Sequence, residues 1–424
     1  MKINHKYITF IAVAIFTACK QAPPVTKNID AWYKHLIIYN LDVKTFKDSN
    51  GDGEGDFNGL TEKLTYLQSL GINTIWLAPF QPSPQKDDGY DVVDYVGIDP
   101  KLGSADDFKK FMTAAKAKHI RVIMDIVLNH TSDQHPWYLT AVRDTILAKH
   151  NWYVWSKSKP SDWDKGMGFP GVEKETWRYE PIAREYYFHR FYKFQPDLNY
   201  QNPQVVAEAE RILAYWLDQG MDGFRLDAVP FIIDDPRGNS AKPKNDFAIL
   251  HRLSRFVKKK KPDAVLLGEA NVAPEENQKY FGEDHNGLEM MFNFYANQYL
   301  FYGLATSDTK PFKKALNKTK AKPGTAQWAW FLRNHDEIDL GRLSKHDLKE
   351  VYQKFGPDTT MQLYERGIRR RLATMLNGNM QQLKMAYSLL YSLPGTPVIR
   401  FGEEIGMGDD LKLKERLAIR TPMQ

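Results

Sequence analysis

One cysteine in 424 residues, Cys19, excludes an intramolecular disulfide and any cysteine-built metal centre. Histidine and cysteine clusters with zinc spacing are missing as well. Net charge is scarce: 58 Lys and Arg against 52 Asp and Glu leave a formal +6, which gives no reason to invoke nucleic acid. The densest basic run, Lys258–Lys261, sits before Pro262 at the end of a helix-like segment, where cations complement the helix dipole. Low-complexity tracts and short repeats are absent. No apolar run is long enough to cross a bilayer as a helix. The longest at the N-terminus, Tyr7–Ala18, follows Lys2 and Lys6 and has the length of a signal-peptide core. What remains is ordinary globular composition, 42% hydrophobic and 26% charged, long enough for one α/β barrel with insertions or for two domains.

Apolar runs alternate with helical patterns, which is the signature of βα units around a parallel sheet. The candidate strands are Leu36–Leu41, Thr74–Pro79, Arg121–Leu128, Gly223–Val229, Ala264–Glu269, Met290–Phe294, Trp328–Leu332 and Pro397–Phe401. Eight is the number a closed (β/α)8 TIM barrel needs. Between them, Leu60, Leu64, Leu67 and Leu70 form one helical stripe stopped by Gly71. Asn202-Pro203 opens a helix that ends at Gly220, and Ser104 to Asp107 offers a capping box for another. The gap after the third strand is too long for a connection. Residues 131–200, rich in Trp, Tyr, Pro and Gly, are read as a subdomain inserted over the barrel mouth. The barrel itself is assigned to residues 31–130 and 201–424.

Catalytic groups of such barrels stand at the C-terminal ends of strands. The stretch Gly223–Pro230 (GFRLDAVP) places Phe224, Leu226, Ala228 and Pro230 on one side of a strand, with Arg225 and Asp227 on the other. The fifth strand ends in Glu269, and the seventh runs into His335 and Asp336. Asp227, Glu269 and Asp336 therefore converge. Two carboxyl groups at a suitable gap are the equipment for cleaving a glycosidic bond, one attacking or activating water and one protonating the leaving oxygen. Arg225 is placed to keep Asp227 ionised.

These residues carry a resemblance. Asp125–His130 (DIVLNH), Gly223–Pro230, Gly268–Asn271 (GEAN) and Arg333–Asp336 (RNHD) resemble, in order, the four defining regions of the α-amylase superfamily, the glycoside hydrolases of family 13. The resemblance implies a retaining mechanism with Asp227 as nucleophile, Glu269 as general acid/base and Asp336 gripping ring hydroxyls in the transition state. It implies that Arg225 orients Asp227 and that His130 and His335 hydrogen-bond the sugar. Tyr90 resembles the platform under the cleaved glucose, and Asp88 with Arg420 the pair closing the pocket at the non-reducing end. QPDLN (Gln195–Asn199) is similar to members acting on short α-glucosides. Asp48–Phe57, Asp88–Tyr95, Thr131–Pro136, Gly367–Ala373 and Glu404–Gly408 resemble the trehalose synthases, which are maltose α-glucosyltransferases. Glu403 stands where relatives commonly have aspartate.

Three readings follow. The chain interconverts maltose and trehalose, hydrolyses α-glucans and maltooligosaccharides, or is a non-catalytic sugar-binding relative. The expected partner is a small oligosaccharide. The oxygen side chains of Asp48, Asn50, Asp52 and Asp56 fall at positions 1, 3, 5 and 9 of a loop with glycine at position 6, the front half of an EF-hand-type loop. Its readings are a structural Ca2+ site or a metal-free turn rich in Asx residues. The resemblance implies calcium, with Glu54 supplying its backbone carbonyl, and a second ion near Asn129 and Asp197. Phe16-Thr17-Ala18-Cys19 resembles a bacterial lipobox, so residues 1–19 read as a lipoprotein signal with an acylated Cys19, or as a plain secretory signal, and 20–30 as a tether. An extracytoplasmic, lipid-anchored address follows from the first reading. Members of the family continue beyond the stretch that Arg420–Gln424 resembles with a last barrel helix and a β-sandwich domain, so the expectation is a barrel truncated at its C-terminal end and without that β-sandwich. Without that helix the eighth strand is expected to expose apolar surface.

Overall fold

A computed structural model describes residues 31–146, 148–283 and 286–423. The leader, Cys19 and the tether lie outside the described residues. The eight barrel strands are β1 (Ile38–Leu41), β2 (Thr74–Leu77), β3 (Arg121–Ile126), β4 (Gly223–Leu226), β5 (Val265–Gly268), β6 (Met290–Phe292), β7 (Gln327–Phe331) and β8 (Thr396–Arg400). All pairings are parallel and follow chain order. β8 closes on β1, with Ile38 opposite Val398 and Asn40 opposite Arg400. The fold is thus a (β/α)8 barrel.

Its interior is a packed core rather than a channel. Ile38, Trp76, Ile123, Val265, Leu267, Met290, Phe292, Phe331 and Val398 point inward, and Trp32, Tyr33 and Leu36 join the same cluster. The outer faces of the strands pack against the helices in a second, larger cluster. Helix and strand positions answer to local signals. Asn202 caps the helix Pro203–Asp218 through the Gln204 amide, and Ser104 and Asp107 form a full capping box. The run Lys258–Lys261 closes the helix Phe247–Lys260, as its proximity to Pro262 implied.

Three expectations need correction. The leucine stripe spans two short helices, Phe57–Glu62 and Leu64–Ser69, and Leu70 falls outside them, 40% exposed. β4 stops at Leu226, so Ala228 and Pro230 do not continue its alternation. Ala228 has φ 50° and ψ 39°, and Pro230 lies in the helical turn Val229–Ile232 that follows. On β8, Ile399 and Phe401 are buried, and Phe46 packs edge-on against Phe401. The strand therefore does not present the bare apolar face expected of it. Finally, two small sheets had no counterpart in the sequence reading, one pairing Asp234–Asp235 with Lys244–Asn245, the other uniting residues 338–339, 362–363 and 367–368.

After β3 the chain leaves the barrel. The segment contains the helix Pro136–Arg143 and a three-stranded antiparallel sheet of Trp155–Ser156, Trp177–Glu180 and Glu185–Phe188. Trp177 and Phe188 form a small core of its own with Val154, whereas Trp152, Tyr153 and Tyr187 join the larger cluster shared with the barrel, so its aromatics do not mostly form a separate core as expected. It is joined to the loop after β4 by the buried Arg190–Asp234 pair at 3.0 Å and by Trp177 Nε1 donating to Ser240 Oγ at 2.8 Å.

Candidate active site

Strand register brings the charged residues together. Asp125 on β3 lies opposite Arg225 on β4, which lies opposite Leu267 on β5. Arg225 is 1% exposed and faces inward. Its Nη1 donates to Asp125 Oδ1 at 2.8 Å and to Asp227 Oδ1 at 2.5 Å, and its Nη2 lies 2.9 Å from Glu269 Oε2. One guanidinium thus serves three carboxylates. Glu269 is held further by the Ala228 amide, which donates to Oε2 at 2.9 Å. That contact depends on the left-handed Ala228, a conformation that costs a non-glycine residue on the order of 1–3 kcal/mol. Backbone strain therefore sits between the two carboxylates.

Asp336 is held from the other side. Arg416 Nη1 donates to its Oδ1 at 2.6 Å and Arg420 Nη2 to the same atom at 3.0 Å, while His335 Nε2 lies 3.0 Å from Oδ2. Arg420 also pairs with Asp88 at 2.9 Å, and Lys44 contacts Asp88 too. Arg416 reaches Asp87, whose other oxygen accepts from Gln195 Nε2 at 2.9 Å. Tyr90 stacks on His335 with ring centres 5.4 Å apart, and its hydroxyl donates to Asp125 Oδ2 at 2.9 Å.

These groups surround a cavity of about 360 Å³ at the C-terminal ends of the strands. Asp227, Glu269, Asp336, Tyr90 and His130 line it. Asp88, Arg225, His335 and Arg420 do not; they hold the lining residues in place. Arg416 and Asp87 line the cavity, and neither was singled out from the sequence. Arg416 lies four residues before Arg420 on the short helix Glu415–Ile419, a spacing that could have flagged it. Asp125 stood inside a quoted motif, and strand alternation alone puts it on the same inward side as Arg225. Phe169, Phe191, Phe231 and Phe294 supply the apolar wall.

The electrostatics separate the acids into two kinds. Burial is the largest influence on Asp227 and Glu269. Arg225 opposes it, but the neighbouring carboxylates add to it, and both end raised to about 7. Arg225 is shared among Asp227, Asp125 and Glu269, so its charge is divided between three carboxylates and not committed to Asp227 alone. For Asp336 burial also pushes upward, yet His335, Arg416 and Arg420 outweigh it and hold the carboxyl well below the usual range. Burial lowers His130 and His335 to about 3, so both stay neutral.

A stability profile follows. Asp227, Glu269, Asp234 and Glu337 are each raised to about 7, against about 4 in an unfolded chain. A carboxyl raised on folding contributes stability below its unfolded value and loses it as pH rises through the folded one. Between about pH 7 and 8 the histidines are mostly neutral in both states, since an unfolded imidazole titrates near 6.5, and Asp336 is ionised in both. We expect the melting temperature to fall across that window in thermal melts at constant ionic strength. A flat or rising curve would contradict the shared-cation geometry.

The two candidate metal sites differ. In the loop after β1, Asp48 Oδ1 accepts from the Asn50 and Gly51 amides, Asn50 Oδ1 from Asp52, and Asp52 Oδ1 from Glu54, at 2.7–3.0 Å. These side chains supply hard oxygen donors of the type calcium takes. The Asp56 oxygens accept from Ser49 and from the Gly59 amide, capping the helix Phe57–Glu62. Glu54 reaches Lys101 with its side chain at 3.3 Å. At the second site, Asn129 Nδ2 donates to Asp197 Oδ2 at 3.1 Å, and Arg190 N donates to Asp197 Oδ1 at 3.0 Å. Both side chains are thus engaged with protein donors and acceptors at this position. The departure at Glu403 is accommodated by Arg371, 3.2 Å away.

Comparison with known proteins agrees with this geometry. Residues 40–368 match the alpha amylase catalytic domain family. The chain is 40% identical over 394 residues to a trehalose synthase of Thermus thermophilus, covering 93% of this chain and 40% of that protein. It is 41% identical to a trehalose synthase of Pimelobacter, covering 93% of this chain and 70% of that one. Among solved structures, an α-amylase from H. orenii superposes with a TM-score of 0.74 at 31% identity, covering 92% of this chain and 72% of that one. The carboxylates around Arg225, at the C-terminal ends of a closed barrel, are those of an α-glucoside enzyme: the chain belongs to the α-amylase family.

Proposed function

We propose that this chain interconverts maltose and trehalose by intramolecular transglucosylation. The observation that carries the reading is the ion-paired wall of the cavity, where Arg416 joins Asp87 to Asp336. About 360 Å³, walled by Arg416, Asp87 and the clamped Asp336, lies at the small end of ligand pockets and suits a disaccharide better than a glucan chain. Similarity to proteins named trehalose synthase over nearly the whole chain supports it.

In the proposed mechanism Asp227 attacks the anomeric carbon of the non-reducing glucose. Glu269 gives its proton to the departing glycosidic oxygen; with both carboxyls raised to about 7, the reacting form is the one in which Glu269 is protonated and Asp227 ionised. A glucosyl ester on Asp227 and a free glucose result. The freed glucose turns and presents its anomeric hydroxyl. Glu269 takes that proton, the new oxygen–carbon bond forms, and the ester bond to Asp227 breaks. Asp336, kept ionised by its arginines, receives hydrogen bonds from ring hydroxyls throughout. Water in place of the second glucose gives hydrolysis, so closure of the pocket sets the balance.

Incubating the purified protein with maltose and following anomeric protons by NMR tests this. Trehalose signals support the reading. Glucose alone supports the hydrolase, which similarity to an oligo-1,6-glucosidase of Heyndrickxia coagulans at 32% identity favours. An unchanged spectrum supports the non-catalytic relative.

Two further assignments accompany it. Asp48, Asn50, Asp52 and Asp56, with the Glu54 backbone carbonyl, are proposed to hold a structural Ca2+, which cross-links the loop after β1 and performs no chemical step. Chelator is expected to lower the melting temperature by several degrees, and added Ca2+ to restore it; a melt unmoved by chelator removes the site. Cys19 is proposed as an acylated N-terminus that tethers the enzyme to a bacterial membrane outside the cytoplasm, on the periplasmic side or at the cell surface. Mass spectrometry of the N-terminal peptide from the native source tests that.

A further inference from the structure

Between Asp308 and Asp336 the chain carries six lysines and no acidic residue. Lys310, Lys313, Lys314, Lys318 and Lys320 are exposed, and Lys322 is half-buried. The helix Lys310–Lys318 buries Phe312 and Ala315, leaving its lysines on the solvent side. Four of them, with Asn317, line one shallow depression. Among the described residues none of the six forms an ion pair. The other basic run is different in kind. Lys258, Lys260 and Lys261 are matched to Glu289, Asp218 and Asp222, so their charge is spent within the fold.

The unmatched run ends at a particular place. Tyr33 Oη donates to Thr325 O at 2.5 Å and Lys34 Nζ to Gly324 O at 2.5 Å. Partial burial and the nearby Lys34 lower the Lys322 ammonium from its ordinary value, as expected of cations crowded together. Residues 32–36 close the N-terminal end of the barrel interior, whereas the cavity opens at the C-terminal ends of the strands. The basic face therefore runs down one flank of the barrel to the pole opposite the pocket, where the chain from Cys19 joins the fold.

We propose that the Lys310–Lys322 face is a docking surface for an anionic lipid bilayer, seating the barrel with its pocket turned toward solution. From the lipid-anchor reading this takes only that a bilayer is near. Twelve residues from Cys19 to Ala31 reach at most about 40 Å, while screening confines the attraction of a lysine to roughly 8 Å at physiological salt. The tether brings the face within range, and the lysines decide how it sits. A polybasic patch is the usual second signal beside a lipid chain. Nucleic acid fits the face less well. The run has no exposed aromatic residue on which bases could stack, and its only arginine, Arg333, is buried.

The test uses the full chain with Cys19→Ser, which cannot be acylated, so that failure of the anchor and failure of the face are separate results. Binding is measured by co-sedimentation with phosphatidylcholine vesicles and with vesicles containing about 30% phosphatidylglycerol. The readout is the ratio of the two affinities, compared with that of a variant also carrying Lys310, Lys313, Lys314, Lys318 and Lys320 as glutamine. The expected result is preference for anionic vesicles, at least about tenfold weaker in the variant and lost in high salt. An unchanged melting temperature of the variant shows that it is folded, whatever its activity; should it not fold, the milder pair Lys313→Gln and Lys314→Gln gives a smaller loss of the same sign. Equal preference in parent and variant, no binding to anionic vesicles, or equal binding to duplex DNA each overturns the proposal.

Discussion

Asp227→Asn is expected to lower turnover of maltose by at least about 10⁴-fold while leaving the fold as stable as the parent or more so. The amide keeps nearly the shape of the carboxylate and can still accept from Arg225 Nη1, which lies 2.5 Å from Oδ1. It cannot attack an anomeric carbon, so the glucosyl ester does not form and neither transfer nor hydrolysis proceeds. Stability should move the other way. Burial holds Asp227 against its own ionisation, and Asp125 and Asp336 add repulsion that Arg225 does not cancel. Removing one of three charges around a single guanidinium relieves that repulsion, most at pH 8, where all three are otherwise ionised. The measurement is urea unfolding at pH 8 alongside NMR of the maltose reaction. If the variant keeps more than a few per cent of activity, Asp227 is not the nucleophile. If it is markedly less stable, Asp227 is a structural ion-pair partner.

The same residues show how far the sequence could be read. Buried parallel strands are near-continuous apolar runs, so all eight were visible, and their C-terminal ends pointed to Asp227, Glu269 and Asp336. Limits appeared where one residue overrides a pattern. GFRLDAVP alternates cleanly through Pro230, but the chain turns at Ala228, and alanine gives no warning of a left-handed backbone. Pairings across the whole chain were equally hidden. Arg416 meets Asp87 over a separation of 329 residues, and only the closing of β8 onto β1 brings that segment above the cavity. Asn129 and Asp197 have side-chain types a cation accepts; that they satisfy each other depends on the bridge between His130 and Asp197. Charge sharing was the subtlest loss. The sequence placed Arg225 beside Asp227 but could not show that Asp125 and Glu269 draw on the same cation.

That sharing yields a second large expected effect. Arg225→Gln should cost on the order of 3–5 kcal/mol of stability at pH 8, the usual consequence of leaving buried charge without its partner. Asp125, Asp227 and Glu269 would then face one another with only a neutral amide between them. Their protonation would become still more favourable in the folded state, so their pKa values rise further. The sign is fixed by linkage: carboxyls raised on folding lose their stabilising contribution as pH climbs through the folded value. The destabilisation should therefore be large at pH 8 and much smaller at pH 5, where protonated carboxyls need no cation. Activity should fall by at least about 10³-fold, with whatever remains shifted to higher pH, because the proposed nucleophile must still lose its proton before it attacks. Urea unfolding of parent and variant at both pH values decides the matter. Equal destabilisation at pH 5 and pH 8 would mean that Arg225 acts through packing against Trp76, 5.4 Å from its guanidinium, and not as the counter-charge of the acid cluster.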